Sequence, residues 1–143
     1  MEQPSGITFE AFTMDAYDAV FGLWTACEGV GLSDADSRPN IERFLLRNPG
    51  MSFVARDGEV IIGAILAGHD GRRGYLHHLA VHPEYRRRGI GHLLFETALD
   101  ALRAAGIKKC HGFVFRDNVR GLDFWRAVGW TVREDVRLIS KDL

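Results

Sequence analysis

Val81-His82-Pro83-Glu84-Tyr85-Arg86-Arg87-Arg88-Gly89-Ile90-Gly91 joins a strand-like run, Tyr75-Leu76-His77-His78-Leu79-Ala80-Val81, to a helix-like run that begins at Ile90. Three arginines and two glycines fall where the strand gives way to the helix. Backbone N–H groups at a helix N-terminus, with the helix dipole behind them, form a binding site for phosphate. Glycine at 89 and 91 lets the chain curl into such a nest without a Cβ in the way, and lets an anion come close to the backbone. The local reading is a strand, a phosphate-cradling turn and a helix. The arginines alone would read equally as a solvated basic turn. The glycines and the helix start supply a second, independent reason for an anion there, so the backbone donors are expected to outweigh any single guanidinium.

Working outward, the helix over about 90–105 carries Ile90, Leu93, Leu94, Thr97, Ala98 and Ala101 on one stripe and ends at Gly106. Lys109–Phe115 reads as a strand, so residues 75–115 form a parallel β-α-β crossover. Asn118–Val128 reads as a helix closed by Gly129, and Trp130–Ile139 as a final strand. On the N-terminal side, Ile7–Phe12 alternates apolar and polar residues as a half-buried strand does. Thr13 reads as the cap of a helix over about 14–28, and Pro39 sits in the first turn of a short helix ending near Arg47. Two strands, Ser52–Arg56 and Glu59–Gly68, flank an Asp57-Gly58 turn. The second is apolar almost throughout, so both of its faces are expected to be covered. Asp70–Gly74 is a further turn. The order β-α-α-β-β-β-α-β-α-β implies an α+β domain, and residues 1–143 are expected to form it alone.

The 143 residues are 46% hydrophobic and 26% charged, with a net charge of −1, the make-up of an ordinary globule with its own core. No apolar run approaches the roughly 20 residues that cross a bilayer, and Met1–Gly6 has no leader character. A cytoplasmic location is expected, with no membrane or nucleic-acid partner. Residues 1–73 carry a net −5 and residues 74–143 a net +4, which suits a polyanion held on one side and a cationic substrate on the other. Cys27 and Cys110 have no metal-type spacing and read as buried reduced thiols, so no metal is expected.

Arg86-x-x-Gly89-x-Gly91, preceded by Leu79-Ala80-Val81-His82-Pro83, resembles the signature of the GCN5-related N-acetyltransferases. Asn118-x-x-Gly121-x-x-Phe124-Trp125-x-x-x-Gly129-Trp130 is similar to a second segment of that family. The resemblance implies that family's fold, a mixed central sheet of six to seven strands flanked by about four helices. It implies acetyl-CoA in a V-shaped opening between the 75–81 and 109–115 strands. The pantetheine arm would pair with Leu79, Ala80 and Val81. The pyrophosphate would sit on the turn Arg86, Arg87, Arg88, Gly89, Ile90, Gly91 and His92, with Asn118 and Trp125 also against the cofactor. The reaction implied is direct attack of a primary amine, from a small molecule or peptide, on the thioester.

Several side chains are candidates for the chemistry. His77 and His78 are adjacent, so on a regular strand they face opposite sides. Either one can be a base near the thioester or simply a satisfied sheet histidine. Trp125 stands where the family commonly has a tyrosine that protonates the leaving thiolate, and indole has no such proton to give. That role would pass to Tyr75, Tyr85 or water. Trp24, Glu28 and Asp70 are acceptor-side candidates, and Glu28, Asp34 and Asp36 could bind a cationic substrate or be no more than exposed loop carboxylates. Trp24 reads as core before it reads as a substrate platform. The missing tyrosine leaves a second function open, an acyl-CoA-binding sensor with little catalysis. A dinucleotide-binding fold fits poorly, because Gly89-x-Gly91-x-x-Leu94 lacks the third glycine. Pairing through an edge strand or the C-terminal strand could make a homodimer.

Overall fold

In the computed structural model, which describes residues 3–143, the sheet runs β1 (Ile7–Ala11), β2 (Phe53–Asp57), β3 (Val60–His69), β4 (Gly74–Val81) and β5 (Cys110–Gly112), in that spatial order. The first four strands pair antiparallel and β5 joins β4 in parallel. Helices α1 (Tyr17–Ala26), α2 (Arg38–Arg47), α3 (Ile90–Ala104) and α4 (Val119–Ala127) complete the mixed α+β architecture. The chain forms two compact units, one running to Phe113 and one over Val114–Leu143. Met1 and Glu2, part of the stretch read for a leader, lie outside the described residues.

β3 is the central strand, and the apolar run at 60–68 explains why. A Cβ at Gly63 would point at Leu94 of α3, whereas Ala64 belongs to the α1 cluster with Val20, Leu23 and Trp24. One helix therefore covers each face. On α3 the buried residues are Ile90, Leu94, Phe95, Ala98 and Leu102. Leu93, Thr97 and Ala101, expected on the same stripe, are only half-buried. The sheet lies under the i, i+4 row from residue 90 to 102, which turns the seam away from the three flanking positions. The β2–β3 hairpin pairs Asp57 with Val60, so its two loop residues are Gly58-Glu59, one position later than expected. Gly58 takes the positive φ of 61° that such a turn requires.

Among the described residues the sheet has five strands rather than six to seven, and β5 spans three residues rather than the whole of Lys109–Phe115. Residues 130–139 carry a strand-like pattern but form no strand, with Val136, Leu138 and Ile139 exposed. Alternation supplies a propensity, whereas a strand exists only where a partner takes its N–H and C=O groups. A bend at residues 134–135 interrupts the segment, and the ion pair from Arg133 Nη2 to Asp135 Oδ2 (2.7 Å) spans it.

β4 also departs from the expected alternation. Gly74 faces Leu102 of α3, so Tyr75 and His77 face the other way, toward α1 and α2. Register pairs Leu66 with His77 but Ala64 with Ala80, so β4 spends three residues where β3 spends two. The extra residue is a β-bulge, and His78 sits in it with φ of +52°. The bulge reverses the alternation. His77 packs on Phe44 of α2 and His78 on Trp24 of α1, so the two imidazoles face the same side rather than opposite sides.

Candidate active site

The parallel ladder with β5 covers only Gly74, Tyr75 and Leu76, while β4 continues to Val81. Among the described residues no strand pairs with β4 from His77 onward on that edge, so it lacks a ladder partner there and can receive an extended ligand, although side chains already take the Val81 carbonyl. The open edge runs directly into the 82–89 turn. His82 Nδ1 accepts from the Glu84 N–H (3.2 Å) and the His82 carbonyl from the Tyr85 N–H (2.8 Å), which closes a 3₁₀ turn over Pro83–Tyr85. Arg87 and Gly89 then adopt left-handed φ values of 64° and 77°. Alternating hand along a short backbone is the geometry of an anion nest. Gly89 has no side chain with which to cap the 15-residue α3, so the N–H groups of Ile90, Gly91 and His92 keep the positive end of that helix open.

The side chains of the turn are engaged with the protein itself. Arg86 Nε donates to the Val81 carbonyl (3.3 Å), which also accepts from the Cys27 thiol (3.6 Å). Arg88 lies over the Tyr85 ring at 5.0 Å, and the Tyr85 hydroxyl donates to Asp57 Oδ2 (2.5 Å). That hydrogen bond raises the Tyr85 phenol above its ordinary pKa. His92 stacks on Phe95, ring centroids 4.8 Å apart.

On the α1–α2 side, Trp24 is buried in the core against Phe12 and Phe21, and its indole Nε1 has no hydrogen-bond partner among the described residues. The His78 ring meets it edge-on at 5.1 Å. His78 Nε2 lies 2.8 Å from Asp36 Oδ1, and Asp36 is buried. His77 stacks on Phe113 at 5.6 Å, and burial pushes its pKa below the ordinary 6.5. Burial likewise pushes up the thiols of Cys27 and of Cys110, the latter to about 11. Glu28 is exposed. Asp70 is a turn former, since its Oδ1 accepts from the Arg72 and Arg73 N–H groups at 2.8 and 2.9 Å, and these bonds lower its pKa.

Asn118 and Trp125 belong to the 114–143 unit. There the Asn118 side chain caps α4 by accepting from the Gly121 N–H (3.0 Å), and Trp125 packs against Phe124 and Trp130. The Asp36–His78 pair is the feature that sequence reading missed: the expectation for Asp36 is an exposed loop carboxylate or a contact to a cationic substrate, whereas it is buried against His78. One signal pointed toward it. Tyr-Leu-His-His-Leu-Ala breaks the period of two in the middle of a strand, as a bulge does.

An open strand edge that ends in an uncapped, glycine-lined helix start is an arrangement that can hold an extended ligand with a phosphate group. Residues 17–130 match the model of the acetyltransferase (GNAT) family. The chain belongs to that family, and with it to the acetyltransferases. It is 32% identical over 132 residues to an acetyltransferase of Sodalis glossinidius, covering 92% of each chain. Among solved structures, its fold is similar to that of AAC(6')-Iy in complex with a bisubstrate analogue, CoA-S-monomethyl-acetylneamine (TM-score 0.77, 19% identity, 97% of this chain and 100% of that one). It is also similar to the PaiA N-acetyltransferase of Thermoplasma acidophilum in complex with coenzyme A (TM-score 0.74, 20% identity, 89% and 91%). No helix among the described residues is long and apolar enough to cross a membrane.

Proposed function

We propose that this chain is an acetyl-CoA-dependent N-acetyltransferase that acetylates a primary amine of a small molecule or peptide by direct attack in a ternary complex. The observation that carries the reading is the continuity of two features, the open edge of β4 and the left-handed turn at Arg87 and Gly89. The backbone of Leu79, Ala80 and Val81 would pair with the pantetheine amides as an added strand does. The N–H groups of residues 87–92 would take the pyrophosphate. Acetyl-CoA supplies an acyl group on a good leaving group. The protein's part is then to orient the two reactants and remove a proton, and orientation alone is worth about 7–11 kcal/mol of barrier. Complexes of similar folds with coenzyme A and with an acetylated aminoglycoside analogue support a CoA ligand and an amine acceptor.

Calorimetry with acetyl-CoA and with NAD tests the cofactor, and the expected result is binding of the first alone. CoA release over polyamines, amino acids, aminoglycosides and N-terminal peptides tests the reaction. At least one amine is expected to release CoA. Failure to bind acetyl-CoA overturns the proposal, and binding without release on any amine favours the sensor reading.

A further inference from the structure

We propose that Asp36 and His78 act as a dyad in which His78 accepts the proton of the attacking amine and Asp36 is the positioning residue that fixes its imidazole. The proposal rests on the N-acetyltransferase reading above. Its basis is a buried carboxylate whose second oxygen is left over once the first has capped its own turn. The capping box of the Asp34–Asp36 3₁₀ turn ties Asp36 Oδ2 to the Ser33 N–H (3.0 Å), while Ser33 Oγ accepts from the Ala35 N–H (3.2 Å). The Tyr17 hydroxyl donates to the Asp36 carbonyl (2.7 Å), which anchors the same turn to α1. Oδ1 is left to face His78 Nε2 at 2.8 Å. The Asp36 side chain is 8% exposed, and among the described residues His78 is the one basic side chain within ion-pair distance of it.

His78 is held as firmly from its own side. The bulge turns it toward α1 in a left-handed conformation that costs a histidine about 1–2 kcal/mol. The ring then packs edge-on against the buried Trp24. A backbone conformation this unfavourable persists where the surroundings impose it, and such positions cluster at functional sites. Its side chain is still 19% exposed, so the ring keeps some access to solvent while Nε2 lies against the buried Asp36.

The chemistry follows from the donor inventory. A carboxylate only accepts, so a neutral His78 ring paired with it carries its hydrogen on Nε2 and keeps the lone pair on Nδ1. When the amine nitrogen bonds to the acetyl carbonyl carbon, the bond from that carbon to sulfur breaks and its electron pair leaves on the CoA sulfur. The proton lost by the nitrogen is taken up at Nδ1, and the imidazolium so formed lies against the Asp36 carboxylate. It returns the proton to water or to the thiolate, which restores the neutral ring. His77, one residue away, has no carboxylate partner of this kind among the described residues and lies between Phe44 and Phe113.

The test uses the full chain and needs no knowledge of the acceptor. Long-range 1H–15N spectra of the wild-type protein are expected to show His78 as the single Nε2–H tautomer, and Asp36→Ala is expected to give a mixture. Diethyl pyrocarbonate, which acylates neutral imidazole, should label His78, with the site mapped by mass spectrometry. Labelling should slow at least about tenfold with acetyl-CoA at about 100 times its Kd, since only the free fraction then reacts. On an amine identified by the release panel, Asp36→Ala should lower kcat about 100-fold or more with little change in KM for acetyl-CoA, the range expected for losing a positioned base. An Nδ1–H tautomer in the wild type overturns the dyad and leaves the N-acetyltransferase reading standing, as does acetyl-CoA binding that fails to protect His78. Absence of acetyl-CoA binding removes that reading and the dyad with it. The wild-type measurements decide the matter even if Asp36→Ala does not fold.

Discussion

The turn after β4 and the side-chain cluster at His78 are built by opposite means. The turn from His82 to His92 offers an anion the backbone itself: two left-handed residues and the uncapped start of α3, with the arginine side chains of 86 and 88 turned onto the protein. The pocket at His78 is made of side chains brought from β4, α1 and the Asp34–Asp36 turn, packed until little of them is exposed. A backbone-made site can lose a side chain and keep its function. It cannot tolerate a changed backbone, and the side-chain pocket behaves the other way round. The predictions that break this contrast are ranked by size.

Trp24→Ala carries the largest expected effect, and it falls on stability. The indole is 1% exposed and packs against Phe12, Phe21 and His78. Truncating a buried tryptophan costs about 3–5 kcal/mol, a large share of the roughly 5–15 kcal/mol that holds a domain together. Urea denaturation measures the loss. Calorimetry under folding conditions should show that acetyl-CoA affinity changes far less than stability. Equal losses in both would mean that turn and pocket are not separable.

Gly89→Glu should do the reverse. A glutamate at φ of +77° is strained by about 1–2 kcal/mol and adds a carboxylate to a nest shaped for anions. Acetyl-CoA affinity should fall at least about 100-fold, equivalent to about 2.7 kcal/mol, while the denaturation midpoint moves only modestly. Wild-type affinity in this variant would sink the turn as the phosphate site.

The same contrast explains which parts of the molecule were legible in the sequence. Turn, helix start and hairpins are local: Arg86-x-x-Gly89-x-Gly91 and the apolar run of β3 carry their meaning within a dozen residues. The Asp36–His78 contact joins residues 42 apart and exists only because one extra residue in β4 reverses its alternation. Periodicity rules assume an unbroken period, so a bulge misassigns every side chain beyond it. The tail at 130–139 went astray for a related reason. Its alternation was read as pairing, and pairing depends on a partner that the local sequence does not contain.

His77 gives a smaller effect that distinguishes the two histidines. Burial lowers its pKa, so as pH falls below 6.5 the unfolded chain binds this proton while the folded one resists it. Stability is therefore fully present above that range and declines as pH drops toward the folded value. His77→Phe keeps an aromatic ring between Phe44 and Phe113 and removes the titration. Urea melts at pH 7.5 and 5.5 should show a shallower loss in the variant than in the wild type. An identical slope would mean that other groups carry the pH dependence.

The finest test compares two replacements of Arg87, whose φ is +64°. Both delete the same guanidinium, but glycine accepts the left-handed conformation freely and alanine does not. If the backbone holds the anion, Arg87→Gly should be more stable than Arg87→Ala by about 1 kcal/mol or more, because alanine is incompatible with the positive φ that glycine accepts. It should also bind acetyl-CoA the more tightly of the two, because its turn stays preformed. If the guanidinium dominates, the two variants should lose affinity equally, and the loss in both should shrink as salt screens the charge. Calorimetry of the pair at low and high salt separates these outcomes. The sign of the glycine–alanine difference decides whether this turn binds through its shape or through its charge.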